Sequence, residues 1–364
     1  MKNLKLIGFL MILASSLMFI QCTSSLDEGP QGLAGANGQN GVDGTDGVDG
    51  VDGTAECIAC HNVQNKEHAQ ASYLLSVHAQ ETLHATQNAA KTEDFILTTS
   101  DYTNRTGCVE CHTSGGYIDK MNGVTLKTGA GVAEHDPAYP AGKQAITCTT
   151  CHDKHSTFDF ANDGFDFALR QALRPVALTA PNANYTIDMG SSNTCVNCHQ
   201  PRGIPPTTAT VKLSSRFGPH HGPQSTLLEG IQGALYVGST AYPVPGSATH
   251  RSGASCTACH MGETTDGTDG AHSWHPTENA CLACHATEPT EVTGYAADMA
   301  TLQSLLVAKG AFDATADAFT SNTVDLKVAQ AAWNFALLRE DRSHGIHNPN
   351  YAKALLKNSI EAAQ

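Results

Sequence analysis

Large aromatic side chains are scarce in this chain: of 364 residues, two are Trp, eleven Phe and nine Tyr. A chain of this length can build one large core or two ordinary ones. So few rings imply that something other than side chains fills the interior. Charge is also sparse, at 15% of residues, and one-sided. The formal net charge of −14 excludes nucleic acid as a partner, because phosphate repels an acidic surface. A single long apolar run occurs, Leu6 to Ile20, broken by Gly8, Ser15 and Ser16. It is too short for a comfortable membrane span, and no transmembrane helix is predicted after it.

Cysteine and histidine, by contrast, are plentiful, at 13 and 18. An odd cysteine count leaves one thiol over from any closed disulfide framework. Twelve of the thirteen fall into six copies of Cys-x-x-Cys-His. They are Cys57/Cys60/His61, Cys108/Cys111/His112, Cys148/Cys151/His152, Cys195/Cys198/His199, Cys256/Cys259/His260 and Cys281/Cys284/His285. This spacing reads as c-type haem attachment. Two thiols bond to the porphyrin vinyl groups, and the following His becomes the proximal iron ligand. A zinc ribbon does not require His after every second Cys, and a redox dithiol would occur once. Six copies predict six haem c groups and six iron centres.

Six proximal ligands leave twelve histidines. Six of those would make every iron six-coordinate. His155, three residues after His152, cannot easily reach over its own haem but can reach a neighbour. His78 is expected on a helix over 69–83, downstream of the first motif. His250 and His272 precede Cys256 and Cys281 at offsets suited to crossing to an adjacent haem. One of His220 and His221, after Gly218-Pro219, is a further candidate, as is His347. The expected distal set is therefore His78, His155, one of His220/His221, His250, His272 and His347. His68, His84, His135, His275 and His344 rank below them. Two-histidine ligation gives lower potentials than His/Met ligation.

Residues 1–21 read as a secretory signal, with Lys2 and Lys5 ahead of the apolar run. Cys22, directly after it, suits a lipoprotein signal in which the cysteine is acylated, although Gln21 stands where a small residue is usual. Residues 29–53 carry Gly at every third position from Gly29 to Gly53, with Asp43, Asp46, Asp49 and Asp52 before Gly. Collagen needs that period but far more proline. Residues 22–54 are read as an acidic, collagen-like spacer lifting the haem region off a membrane. Residues 55–290 form the six-haem region, and 291–364 a helical segment packing on the haems.

Ahead of residue 290 the segments between motifs are rich in Gly, Pro, Thr and Asn and of uneven length, so they are no regular solenoid. Beyond it, Val324, Val328, Ala331, Phe335 and Leu338 recur at helical steps, a helix is expected from about Asp298 to Lys309, and Tyr351, Leu355 and Leu356 follow a break at Pro349. The fold class is mainly α with long irregular loops, organised around covalently bound haem. Porphyrins supply much of the core.

Several stretches carry a resemblance. Phe217-Gly218-Pro219-His220-His221-Gly222-Pro223-Gln224 with Leu227-Leu228-Glu229-Gly230 resembles a motif of the extracellular cytochrome nanowire subunits of metal-reducing bacteria. Gly270-Ala271-His272-Ser273-Trp274 is similar to a Gly-Gly-His-Thr-aromatic element, with Ala271 departing from it. Asp341-Arg342-Ser343-His344-Gly345-Ile346-His347-Asn348-Pro349-Asn350-Tyr351-Ala352 resembles the C-terminal segment of those subunits and of the ammonia-forming nitrite reductases. Both groups sit within the multihaem cytochrome c superfamily. The resemblance covers most of residues 55–364, not the spacer, and implies distal ligation by His347. The reductases commonly carry a catalytic Cys-x-x-Cys-Lys site, and this chain has none. The function expected is electron transfer through a chain of two-histidine haems at or beyond the cell envelope. The partners expected are other redox proteins or extracellular acceptors, with a lipid-anchored membrane and a homo-oligomer or filament as further possibilities. The alternative is a multihaem reductase of nitrite, hydroxylamine or a sulfur oxyanion, which needs one iron with an open position.

Overall fold

The structure, a computed structural model, describes residues 55–79, 109–123, 127–129, 132–134, 146–155, 159, 167–170, 174–180 and 184–364. The signal, Cys22, the spacer, Cys108, His84 and His135 lie outside the described residues.

Short helices mark the motifs. In chain order the helices are α1 (Ala55–Cys60), α2 (Val63–Leu74), α3 (Val109–His112), α4 (Ser114–Met121), α5 (Cys148–Cys151), α6 (Asn193–Val196), α7 (Gln224–Glu229), α8 (Thr249–Gly253), α9 (Ser255–His260), α10 (Glu278–Leu282), α11 (Tyr295–Ala308), α12 (Leu326–Asp341) and α13 (Pro349–Ala363). Positions three and four apart on a helix share a face, so one turn brings two cysteines and the next histidine to one side. The closing bond is visible in four motifs, where the histidine N–H donates to the first cysteine's carbonyl: His61 to Cys57 at 2.8 Å, and His152 to Cys148, His199 to Cys195 and His285 to Cys281 at 2.9 Å.

Helix α2 differs from expectation. The Asn62 side chain caps it by accepting from Asn65 N at 2.7 Å, and it ends at Leu74. His78 therefore stands in a turn beyond the helix. Ser76 makes that turn, with its hydroxyl accepting from Ala79 N at 3.1 Å. Such a side chain competes with helical backbone bonding.

The larger apolar core lies in the C-terminal segment. Helices α11, α12 and α13 bury Leu302, Leu306, Leu337, Leu338, Leu355 and Leu356 completely or nearly so. Asp325 caps α12 through Val328 N at 3.0 Å, and Asn348 caps α13 through Tyr351 N at 3.1 Å, with Pro349 in the first turn. The face expected from Val324, Val328, Ala331, Phe335 and Leu338 is buried, although Val324 sits in a strand ahead of the helix. The helix expected from Asp298 begins three residues earlier, at Tyr295, whose hydroxyl donates to Leu338 O at 2.9 Å. Buried Asn334 donates to Ala234 O and to Ser359 Oγ and accepts from Ala234 N, fixing the preceding loop on α12 and α13. At Gly233 a Cβ would come 2.4 Å from Leu355 Cδ2 and 2.7 Å from the Tyr351 hydroxyl, so a larger residue would displace those buried side chains.

Strands are short antiparallel pairs, such as Thr210–Lys212 with Thr323–Asp325, where Val211 faces Val324. A second apolar cluster, Val176, Ile187, Met189, Val196 and Leu228, sits beside the fourth motif. Mostly helical, with little strand and long connections, the described residues match the mainly α part of the expected class. Among the described residues no helix is long and apolar enough to cross a membrane.

Candidate metal centres

Each of the six motif histidines faces one histidine from elsewhere in the chain. The pairs are His61 with His155, His112 with His220, His152 with His272, His199 with His78, His260 with His347 and His285 with His250. Their ring centroids are 6.0–6.2 Å apart in every case. Two metal–imidazole bonds of about 2 Å, with roughly 1 Å from each nitrogen to its ring centre, separate two centroids by about 6 Å. The spacing therefore fits one metal ion between each pair.

The second nitrogens are engaged away from that gap. Nδ1 lies 2.8 Å from Phe167 O in His152, 2.8 Å from Trp274 O in His260 and 2.6 Å from Ile346 O in His250. For His199 the partner is Gln224 Oε1 at 3.1 Å, and for His347 it is Asp341 Oδ1 at 2.6 Å. An Nδ1–H donated in this way leaves Nε2 as the ligating atom.

Burial pulls the ring pKa below its usual value at His112, His199, His260 and His272, and down to about 4 at His78 and His220. These rings are neutral at pH 7, as a metal ligand must be. His347 is the exception. Burial pulls it down too, but the Asp341 carboxylate outweighs that and raises it. The Asp341 side chain is wholly buried, and Ser343 Oγ also donates to it.

The motifs lie close to one another. Cys111 Sγ lies 3.8 Å from Asn197 O inside the fourth motif, and Thr257 N, inside the fifth, donates to Ser192 Oγ just ahead of the fourth at 3.1 Å. The fourth motif is thus neighbour to the second and the fifth. Helices α9 and α10 pack against each other, which sets the fifth motif near the sixth. The buried phenol Tyr117, beside Cys151, Cys195 and Cys198, has no acceptor among the described residues. An unpaired buried hydroxyl costs about 1–3 kcal/mol, and haem carries carboxylate acceptors.

The donor set also separates haem from zinc. Among the described residues no three His, Cys, Asp or Glu side chains converge as one metal site. Tetrahedral zinc takes four such ligands, whereas haem iron takes only two axial ones from the protein.

Among the described residues the remaining histidines are occupied otherwise or exposed. His221 lies beside His220 but turns its Nδ1 to Glu340 Oε2 at 2.7 Å. His344 approaches Thr290 O at 3.3 Å, and His68 and His275 are exposed. Sequence reasoning missed the partners that orient the rings: Gln224, Trp274 and Asp341. All three lie inside the quoted stretches, and the available signal was a polar or aromatic residue within six positions of a histidine.

A family model described as outer membrane cytochrome MtrC/MtrF-like, domains II/IV, matches residues 48–211. Among solved structures, the chain is similar to the outer cell wall cytochrome OcwA, at 19% identity and a TM-score of 0.46, covering 80% of this chain. The chain spans half the length of that protein. No curated protein sequence matches it. The family match relates this chain to the multihaem c-type cytochromes.

Proposed function

We propose that the protein binds six haem c groups, each held by one Cys-x-x-Cys-His motif and one crossing histidine, and relays electrons between partners outside the cytoplasm. The observation that carries this reading is the single 6.0–6.2 Å separation shared by all six histidine pairs. Bound haem supplies reversible one-electron chemistry at iron. The protein residues attach it, hold the axial rings by their Nδ1 contacts at five of the twelve histidines and keep neighbouring motifs close. His220 is the ligand of its pair, and His221 a hydrogen-bonding neighbour. Every pair lies within one chain, so no iron needs a histidine from a second copy, which favours a self-contained carrier over a cross-ligated filament.

The similarity to outer-membrane cytochromes supports a place at the cell envelope or surface, with redox proteins or extracellular acceptors as partners. Acylation at Cys22 and a lifting role for the Gly-x-y spacer belong to the same proposal. A reductase needs an open axial position beside an acid/base group, and each motif histidine here already has a partner ring. Low-temperature EPR of the oxidised protein, with and without nitrite, tests the relay. Low-spin signals unaffected by nitrite are expected. A substantial high-spin signal that changes on adding nitrite would replace the relay by the reductase.

A further inference from the structure

We propose that Trp274 is a shared positioning residue that sets the axial rings of three metal centres at once. The inference rests on the two-histidine reading above. The indole packs edge-on against His78, with centroids 4.8 Å apart, and against His272 at 5.7 Å. His78 is the crossing ring of the fourth centre and His272 that of the third. The Trp274 carbonyl, meanwhile, lies 2.8 Å from His260 Nδ1, in the fifth centre. One residue thus touches three of the six pairs through two different groups.

Packing in an apolar core does not account for Trp274. The side chain is half-buried and lies in neither apolar cluster. Among the described residues its other ring neighbour is Tyr73 on α2, at 6.1 Å. The backbone is also held against its preference. Trp274 has φ +55°, a left-handed conformation that is an outlier for a bulky residue, and Ala271 has φ +45°. Strain of this kind persists only where surrounding structure over-determines it.

That surrounding structure is present. Gly270 has φ +64°, and a Cβ there would meet Gly262 O at 2.4 Å. Gly270 N donates to His275 O, Ala271 N to Gly262 O and Thr277 N to Cys259 O, which lock the turn onto the fifth motif. His272 N donates to Ser72 Oγ, and Tyr73 OH to Ile146 O, which lock it to α2 and to the third motif's approach. The turn presents the indole between two rings while aiming its carbonyl at a third.

The test is EPR of the oxidised holoprotein, because low-spin haem g-values follow the angle between the two axial ring planes. His78→Met and His272→Met first identify the fourth and third signals by removing them. Trp274→Gly removes the indole and tolerates positive φ, so the carbonyl at His260 stays. It should shift the third and fourth signals and leave the other four, with all six haems retained. Trp274→Phe should restore the original spectrum. Trp274→Leu, which keeps bulk without an aromatic edge, should move the same two signals and covers a Gly variant that fails to accumulate. Third and fourth signals that stay in place, or first, second and sixth signals that move equally, overturn the role of Trp274. Marker variants that remove no low-spin signal overturn the two-histidine reading itself, and this inference with it.

Discussion

The two ends of the described chain are stabilised by different means. From Tyr295 onward, three helices bury a continuous set of leucines, alanines and aromatic rings against one another. Ahead of that, helix α2 buries no residue, and the motif helices α9 and α10 bury none either. What recurs there is pairs of imidazoles about 6 Å apart and motifs set side by side. One region carries a large apolar core; the other has the smaller cluster beside the fourth motif, and on the proposed function porphyrin completes it. Binding of such groups is coupled to folding, so the two regions should respond differently to the same kind of damage.

The largest expected contrast is between motifs. Val196 and Asn197, inside the fourth motif, are buried, and that motif adjoins the second and the fifth. Residues 282–288 around the sixth motif are exposed. Replacing Cys195 and Cys198 with Ala should therefore cost more than one haem per chain and most of the folded yield. The same change at Cys281 and Cys284 should cost one haem and leave the fold. Intact mass and visible absorbance give the count, and equal losses from both variants would abolish the contrast.

Next in size is a cavity in the C-terminal core. Leu337 is fully buried, and Leu337→Ala should destabilise the protein by about 2–5 kcal/mol. A lowered thermal midpoint with unchanged haem spectra at 25 °C is the expected result. Altered ligation would show that the leucine core and the metal centres are not separable.

A smaller effect tests chemistry where the C-terminal segment meets the fifth motif. Only His347 donates to a buried carboxylate among the Nδ1 contacts described, whereas His152, His250 and His260 meet neutral carbonyls. A carboxylate makes the imidazole a stronger donor and favours ferric iron. Asp341→Asn should raise one potential by something on the order of 59 mV, a tenfold change in a one-electron equilibrium, and leave five in place. A redox titration with no component moved would deny Asp341 that role.

The contrast also explains what was legible in the sequence. The Cys-x-x-Cys-His spacing is local chemistry, readable because one helical turn fixes all three residues. The α12 face was equally readable from its period. Partner assignment was not: His78 meets His199, and His220 meets His112, across loops whose course no local pattern encodes. His220 and His221 are adjacent and chemically identical, and only Glu340, on α12, distinguishes them. Helix α2 ended early because a serine turn intervened ahead of His78. The roles of Trp274 and Asp341 depend on a left-handed turn and on burial, which the quoted motifs contain but do not reveal.

The positions of the irons decide between these possibilities. An anomalous-scattering map at the iron edge from crystals of the holoprotein locates them directly. Six peaks are predicted, one between the rings of each pair: His61/His155, His112/His220, His152/His272, His199/His78, His260/His347 and His285/His250. An iron with a single histidine ligand, an iron bound by His221 in place of His220, or fewer than six peaks would contradict this assignment.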